Sequence, residues 1–478
     1  MRILPAKASS IVIVAAALTL TVALPHFFRH LASPEKLGFF VVLLLGIWGV
    51  AGAAVSYLST RPLPVLLLDY SCFLPDSEHR LSLEVCEYFG LHSRLFSDES
   101  ADFMRHIYRK SGLGEETYAP PYFFQPDQRA RFEYAIVEAD QGIFSSVESL
   151  LAKTSVPPER ISAVVAACSM FSPAPSLSSR LVNRFRGFPA DVKTFNLSGM
   201  GCSAGTVAID LASRLLRTMP GSYVLIVVTE ATGLSWYYGD NRHMLVTNCI
   251  FRVGSAAALL TNDPTARHVA KFELKKTLRT HHGADDSAYN SAIQADDGVG
   301  AIGVALTKDL VRVAGSFLRA HISTLAPRVL PISELLRYAW RVAQSAVRQE
   351  WKASAAQVPD FTAAFEHICI HSGGKAIIDA VSRVMGFDER VVEPARMCLH
   401  RFGNTSSSLV FYELSYFEAK GRVRAGDRLW MLAFGTGFKA CSVVLSALRD
   451  ANMGSDCPWK KCIHRYPLKV GRIDAIRK

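Results

Sequence analysis

Two stretches of this chain, about 200 residues apart, run through the same succession of elements. Ile161 to Ala167 (ISAVVAA) reads as a strand, and so does Phe365 to Ile370 (FEHICI). Each leads into a helical segment that closes on Ser-Arg and then Gly-Phe: Ser179, Arg180, Gly187 and Phe188 in the first, Ser382, Arg383, Gly386 and Phe387 in the second. Cys202 then heads a helix, as Asn404 heads Thr405 to Ala419. Gly221-Ser222-Tyr223 opens the strand VLIVVTE, and Gly426-Asp427-Arg428 opens LWMLAFG. A near-constant offset across several elements marks a duplicated β-α-β-α-β unit. Two fused α/β halves are expected to pack their sheets around shared central helices. The helices of Cys202 and Asn404 would then be related by a pseudo-twofold axis, with their N-termini meeting at one cleft.

The strand-like run Asp191 to Leu197 precedes Cys202, and Ser203 to Arg217 follows it as a helix. Ala204, Val207, Ala208, Leu211, Ala212 and Leu215 recur at helical spacing, and Arg214 and Arg217 suit the negative end of the helix dipole. A thiol at such a turn sits where a helix N-terminus favours thiolate. Taken alone, the turn fits a working nucleophile and a buried structural cysteine equally well. His371 follows FEHICI in the turn His371-Ser372-Gly373-Gly374 and belongs to the second half, so cysteine, histidine and asparagine would converge from distant positions. By itself His371 fits a core histidine better than a catalytic one. The Asn-Thr-Ser-Ser context of Asn404 also suits an N-cap, which is compatible with catalysis where the amide faces the cleft.

The motifs narrow these alternatives. GMGCSAG around Cys202, HSGGKAIIDAV from His371 and HRFGNTSSS from His400 closely resemble plant 3-ketoacyl-CoA synthases, the condensing enzymes of very-long-chain fatty acid elongation in the thiolase superfamily. SGLGEETYAP from Ser111, NRHMLVTNCIFRVG from Asn241, RTHHGADD from Arg279, GDRLWMLAFGTGFK from Gly426 and CPWKKCIHRYP from Cys457 extend the resemblance along most of the chain. It implies a duplicated thiolase-like fold layered α/β/α/β/α, no cofactor, acyl-CoA and malonyl-CoA as substrates, and a homodimer. Cys202 would take the acyl chain as a thioester, and His371 and Asn404 would donate to the malonyl thioester oxygen as enolate charge develops. Asn404 cannot act as a base, but its amide can donate, and decarboxylation makes the carbon nucleophile without proton abstraction. The backbone N–H of Cys202 and one from the turn Phe434-Gly435-Thr436-Gly437, at Gly435 or Gly437, would form a second oxyanion site. His281, His367 and His400 also fall on histidines of the family's motifs. His367 shares a strand face with His371, and His400 stands on the strand side of the Asn404 turn. His281 and His282 lie near Asp285 and Asp286, but no closed metal-ligand spacing is present, so no metal is expected. Ser198 and Ser255 stand where the family has glycine, which puts substrate fit in question more than the reaction. A polyketide-type condensing enzyme and an idle scaffold homologue within an elongase assembly are the alternatives. A cysteine protease fits poorly with a duplicated plan.

Of the 478 residues, half are hydrophobic and 20% charged, ample for a large core. Ile11 to Leu24 and Leu37 to Leu58 carry no charge. The second would make about 33 Å of helix, enough to span a bilayer. Arg2 and Lys7 ahead of the first also suit a signal peptide, but the family resemblance implies two spans forming a hairpin. Cytosolic substrates would then put the N-terminal tail and the catalytic part on the cytosolic face of the endoplasmic reticulum membrane. Ten cysteines, with no compact disulfide framework, suit a reducing compartment. The net charge of +11 comes with no nucleic-acid-reading motif and points to anionic lipid headgroups and CoA phosphates. The basic stretch from Trp459 onward suits a membrane surface and a solvated tail equally. The chain divides into an anchor (1–60), a first half (61–266) carrying the cysteine and a second half (267–478) carrying histidine and asparagine. Within the first, 69–127 reads as less regular, as a lid or entrance for the acyl chain. Within the second, Ile332 to Trp351 reads as a long helix.

Overall fold

The computed structural model describes residues 18–19, 34–60, 63–92, 95–125, 129–347 and 358–468. The chain forms two compact units, Met1–Leu63 and Pro64–Lys478. In the first, a helix spans Pro34–Thr60. Val42, Leu45 and Val50 on it are exposed. Among the described residues no helix is long and apolar enough to cross a membrane, so the expected two-span hairpin is not found there. All of Ile11 to Leu24 except residues 18 and 19 lies outside the described residues.

Among its described residues the second unit has thirteen strands: β1 Val65–Cys72, β2 Arg80–Leu81, β3 Thr117–Tyr118, β4 Ile161–Ala167, β5 Lys193–Leu197, β6 Tyr223–Thr229, β7 Ser255–Thr261, β8 Phe272–His281, β9 Ala292–Asp296, β10 Ile302–Leu306, β11 His367–Ile370, β12 Arg428–Gly435 and β13 Lys439–Ala447. Nine form one sheet in the order β11-β12-β13-β8-β1-β7-β6-β4-β5, while β2 pairs with β3 and β9 with β10. The duplication is visible in this order. Reading outward from the middle, β1-β7-β6-β4 and β8-β13-β12-β11 are matching series. They join where β1 and β8 pair antiparallel, Val65 with Leu274 and Leu67 with Phe272. The two halves therefore share one hydrogen-bonded sheet, where the sequence suggested separate sheets in a layered stack.

The sheet wraps two central helices. Ala204–Thr218 packs on β4 and β6 of its own half and on β12 and β13 of the other, and Leu409–Ala419 packs on β1, β11 and β12. One apolar cluster joins Ala208, Ala212 and Leu216 of the first helix to Leu409, Phe411 and Leu414 of the second. The second helix is buried along nearly its whole length, whereas the first leaves Arg214, Arg217 and Thr218 exposed near its C-terminal end.

Two expectations change, and a third is met as far as the described residues go. Among its described residues the segment 69–127 is more regular than expected, taking in the end of β1 and helices at Leu83–His92 and Asp98–Lys110. Among the described residues the second half shows no counterpart of β5; the helix Glu389–Phe402 occupies that stretch. The helix from Ile332 is described to Val347, and its expected continuation to Trp351 lies outside the described residues.

Candidate active site

A short 3-10 turn, Gly201–Ser203, carries Cys202 from the end of β5 toward the helix Ala204–Thr218. Gly201 has φ +60°, and a Cβ there would lie 2.6 Å from the backbone nitrogen of Thr436. Only glycine permits that approach. It brings the Phe434–Gly437 turn against the cysteine turn, where the Thr436 hydroxyl also donates to the Gly199 carbonyl at 3.0 Å. Gly435 is packed as tightly: a Cβ there would sit 2.3 Å from the Met200 carbonyl.

Asn404 occupies the matching place in the second half. Its backbone N–H donates to the Ile250 carbonyl at 3.0 Å, and its carbonyl accepts from Arg252 N–H at 3.0 Å. A 3-10 turn, Ser406–Ser408, then leads into Leu409–Ala419, and this turn packs on that of Cys202. Asn404 Oδ1 accepts the Ser406 N–H at 2.8 Å. A backbone N–H can only donate, so this contact fixes the amide: Oδ1 is engaged and the Nδ2 donors point the other way. Nδ2 lies 3.4 Å from the Gly373 carbonyl.

His371 is the first residue past β11, held by its N–H on the Leu432 carbonyl at 2.9 Å. Glu413, buried on the central helix, accepts the Ile370 N–H at 2.7 Å and the Ser372 hydroxyl at 3.3 Å, bracketing His371. Both ring nitrogens of His371 are buried with no partner among the described residues. Burial pushes its pKa down to about 3. At neutral pH the ring is uncharged, with one donor and one acceptor.

Cys202, His371 and Asn404 line one cavity of about 830 Å³. Gly435, Gly437 and His281 line it too. His281 Nδ1 accepts the Gly283 N–H at 3.0 Å. His282 instead stacks on Phe317, ring centroids 4.1 Å apart, and Asp285 caps a helical turn by accepting the Ala288 N–H at 2.8 Å. His367 and His400 are not among the cavity's lining. His367 Nε2 meets Asp427 Oδ2 at 2.8 Å, tying β11 to the turn before β12. His400 lies within the helix Glu389–Phe402, not on a strand, and its Nδ1 meets the Tyr466 hydroxyl at 3.1 Å. Ser255 points away from the cavity: its hydroxyl donates to the Val228 carbonyl at 2.9 Å, and it packs opposite Gly142, where a Cβ would come within 2.9 Å of its own. Ser198 is exposed in the segment just past β5.

The sequence suggested that the helix N-terminus would favour thiolate. Burial of the sulfur wins instead and pushes the Cys202 thiol up to about 11. Hydrogen bonds from Ser406 and Asn404 and the cysteine's own N–H act the other way, and the charge of Glu230 adds to the rise. The resting group at neutral pH is therefore the thiol. Glu230, Ser406 and Lys439 also line the cavity, and none was singled out from the sequence. The visible signal was a carboxylate closing the otherwise apolar VLIVVTE.

Comparison with known proteins agrees with this architecture. Residues 57–347 match the family model of FAE1/type III polyketide synthase-like proteins. Residues 362–447 match that of the 3-oxoacyl-[acyl-carrier-protein] synthase III C-terminal region. The chain is 44% identical over 91% of its length to 3-ketoacyl-CoA synthase 17 of Arabidopsis thaliana, covering 88% of that protein. It is 43% identical over 88% of its length to 3-ketoacyl-CoA synthase 11 of the same plant, covering 82% of it. In structure it is similar to the C-terminal type III polyketide synthase domain of Steely1 from Dictyostelium, with a TM-score of 0.63 and 20% identity over 80% of this chain and 99% of that one, which shows a shared fold. On these matches the chain belongs to the 3-ketoacyl-CoA synthase family, within the FAE1/type III polyketide synthase-like proteins.

Proposed function

We propose that the protein is a 3-ketoacyl-CoA synthase that condenses long-chain acyl-CoA with malonyl-CoA, the first step of very-long-chain fatty acid elongation. The Cys202 sulfur attacks the acyl-CoA thioester, and CoA leaves as its thiol. Malonyl-CoA then loses carbon dioxide, leaving an enolate whose oxygen accepts hydrogen bonds from His371 and Asn404. Its carbon attacks the acyl-cysteine carbonyl, Cys202 leaves, and 3-ketoacyl-CoA is released. The N–H of Cys202 and one from the Gly435–Gly437 turn hold the oxyanion of the acyl group. The observation that carries this reading is the single cavity in which a cysteine, a neutral histidine with two unpartnered nitrogens and an orientation-locked carboxamide meet. Ile293, Val304, Leu306, Leu310, Ile377 and Phe438 give it an apolar wall suited to an acyl chain.

We assign the stretch Leu37–Leu58 as membrane anchor, with the catalytic unit on the cytosolic face of the endoplasmic reticulum. The uncharged sequence and the exposed Val42, Leu45 and Val50 support this. A second copy of the chain, membrane lipid and other elongation enzymes are the partners; the exposed residues Lys193, Thr194 and Asn196 on the outermost strand β5 suit pairing with a second copy. The test uses microsomes carrying the protein, acyl-CoAs of graded length and labelled malonyl-CoA. Labelled 3-ketoacyl product should form and vanish in Cys202→Ala. His371→Ala and Asn404→Ala should still load acyl chain but fail to condense. Product from Cys202→Ala would exclude the nucleophile, and polyketide products would favour the other condensing chemistry.

A further inference from the structure

The helix Ile332–Val347 turns an apolar face to solvent. At about 100° per residue, Ala339, Ile332, Ala343, Leu336 and Trp340 fall within a sector about 100° wide. All five are exposed, and Ile332, Leu336 and Trp340 are 75%, 65% and 65% open. A single exposed apolar side chain is ordinary. Three large ones at i, i+4 and i+8, with two alanines between them, make a continuous stripe. The opposite side of the helix does the packing: Leu335 joins the apolar cluster of Leu325, Val329 and Phe361.

Charge is arranged around this stripe. Glu334 is the only acidic residue between Ile332 and Val347. It is buried on the inner side, where it accepts the Asp360 N–H at 3.0 Å and receives Arg337 at 2.9 Å and Arg341 at 3.1 Å. Both arginines follow the stripe along one flank, beside Ser333 and Gln344; Arg337 is exposed and Arg341 half-buried. One carboxylate between two guanidiniums leaves net positive charge beside the apolar sector and no negative charge on it. Isoleucine, leucine and tryptophan edged by arginine is the composition of a helix that lies in a lipid–water interface.

The fold puts this helix on the side of the sheet where the chain enters. Val65, Leu274, Leu445 and Leu429 form one row across β1, β8, β13 and β12, about 14 Å from end to end. Arg428, next to Leu429, donates to the Val329 carbonyl at 3.0 Å, three residues before Ile332. Six residues separate Leu58 from Val65, a reach of about 25 Å at most. A chain anchored through Leu37–Leu58 therefore holds this part of the catalytic unit close to the bilayer.

We propose that the helix Ile332–Val347 docks flat on the bilayer surface, with Ile332, Leu336 and Trp340 among the upper segments of the lipid tails and Arg337 and Arg341 at the lipid phosphates. The proposal rests on the membrane anchor assigned above for bringing the bilayer within reach. A second copy docked through the same face would bring arginines with no exposed carboxylate on the helix to receive them. Docking also has a consequence for the reaction. The helix Asp309–Val329, whose Leu310 and Ala314 line the cavity, runs into Ile332–Val347 through Leu330-Pro331. The cavity is thus held beside the phase into which long acyl chains partition.

The test is photo-crosslinking of the full-length chain in phosphatidylcholine vesicles containing one-third phosphatidylserine, with Leu336→p-benzoylphenylalanine as the probe, Leu45→p-benzoylphenylalanine as the anchor control and Met453→p-benzoylphenylalanine as an exposed site away from the stripe. Mass spectrometry separates lipid adducts from protein adducts. Lipid adducts should form at positions 336 and 45, at least about tenfold above position 453, and Ile332→Glu with Trp340→Glu should lower those at 336 about tenfold while those at 45 stay unchanged. The substituted side chains are exposed, so the Tm should not move. Lipid adducts at 45 with none at 336 would overturn the docking and leave the anchor standing. Lipid adducts at 336 with none at 45 would uphold the docking and overturn the anchor. Adducts at 336 to a second copy or another protein in place of lipid, or equal lipid adducts at 453, would overturn the docking.

Discussion

Burial sets the charge of Glu138 as firmly as it does that of the cavity groups. This carboxyl lies inside the helix Phe132–Thr154 and accepts Thr232 N–H at 2.8 Å, Thr232 Oγ1 at 3.1 Å and Gly233 N–H at 3.1 Å, so it fixes the turn just past Glu230. Desolvation pushes it up to about 7, against the pull of those hydrogen bonds, and Glu230 adds repulsion. The folded protein thus holds a proton that the unfolded chain releases near its ordinary value of 4.5. The contribution is full below that value and is lost as pH rises through 7, a swing of about 3 kcal/mol. Glu138→Gln cannot titrate, so its stability relative to wild type should rise by about that amount between pH 5 and pH 8, read from urea unfolding at both. A difference that does not move with pH would mean that Glu138 titrates normally. The same desolvation explains why the charge at Cys202 could not be read from a helix N-terminus: the dipole term was visible in the sequence, but the atoms enclosing the sulfur were not.

The two central helices meet at their first turns, and Gly205 makes the meeting close. A Cβ there would lie 2.3 Å from the Ser407 carbonyl oxygen, a backbone atom that cannot swing aside. Gly205→Ala should push the Cys202 and Ser406 turns apart. A lowered Tm equivalent to about 1–3 kcal/mol is expected, together with a drop in acyl loading; an unchanged Tm would show that the turns have slack. The helix of Cys202 was readable because its apolar spacing runs on from Ala204 to Leu216, and the pairing of Cys202 with Asn404 was readable because the duplication preserves order. Other elements were not. β1 follows Arg61-Pro62-Leu63-Pro64 and looks like the tail of a membrane segment, yet its pairing with β7 and β8 depends on strands some 190 residues away. The stretch Glu389–Phe402 sits where the repeat predicts a counterpart of β5 but is helical: Asp388 caps it through the Val391 N–H at 3.0 Å, and Val392, Ala395 and Leu399 bury one face. Likewise, the contacts of His367 with Asp427 and of His400 with Tyr466 are ones that only the fold reveals.

Across the whole catalytic unit, the duplicated halves do not make two domains. Each contributes one strand to the junction, β1 and β8, and Phe272 of β8 lies in the same cluster as Val224 and Ile226 of β6 and Leu429 and Met431 of β12. The C-terminal segment crosses the divide as well: Asp456 accepts the Ser71 hydroxyl at 2.7 Å and the Ser149 hydroxyl at 2.9 Å. Trp459 is fully buried with its Nε1–H on the Tyr412 carbonyl at 3.0 Å, and Tyr70 of β1 donates to Glu418 at 2.6 Å. Dividing the chain between Ala266 and Arg267 would leave β8 with a bare edge and expose the inner faces of both central helices, apolar surface worth about 25 cal/mol per Å². Each piece keeps an outer apolar cluster, but the central cluster is built from both, so the unit should unfold in a single cooperative step. Far-UV and near-UV circular dichroism of the chain from Pro64 onward should give coincident urea transitions. The fragments 64–266 and 267–478 should each lack a near-UV signal alone, and regain it with acyl loading at Cys202 only when co-expressed. A separate, earlier transition for either half, or a folded 267–478 fragment on its own, would show that the shared sheet is a contact between independent domains.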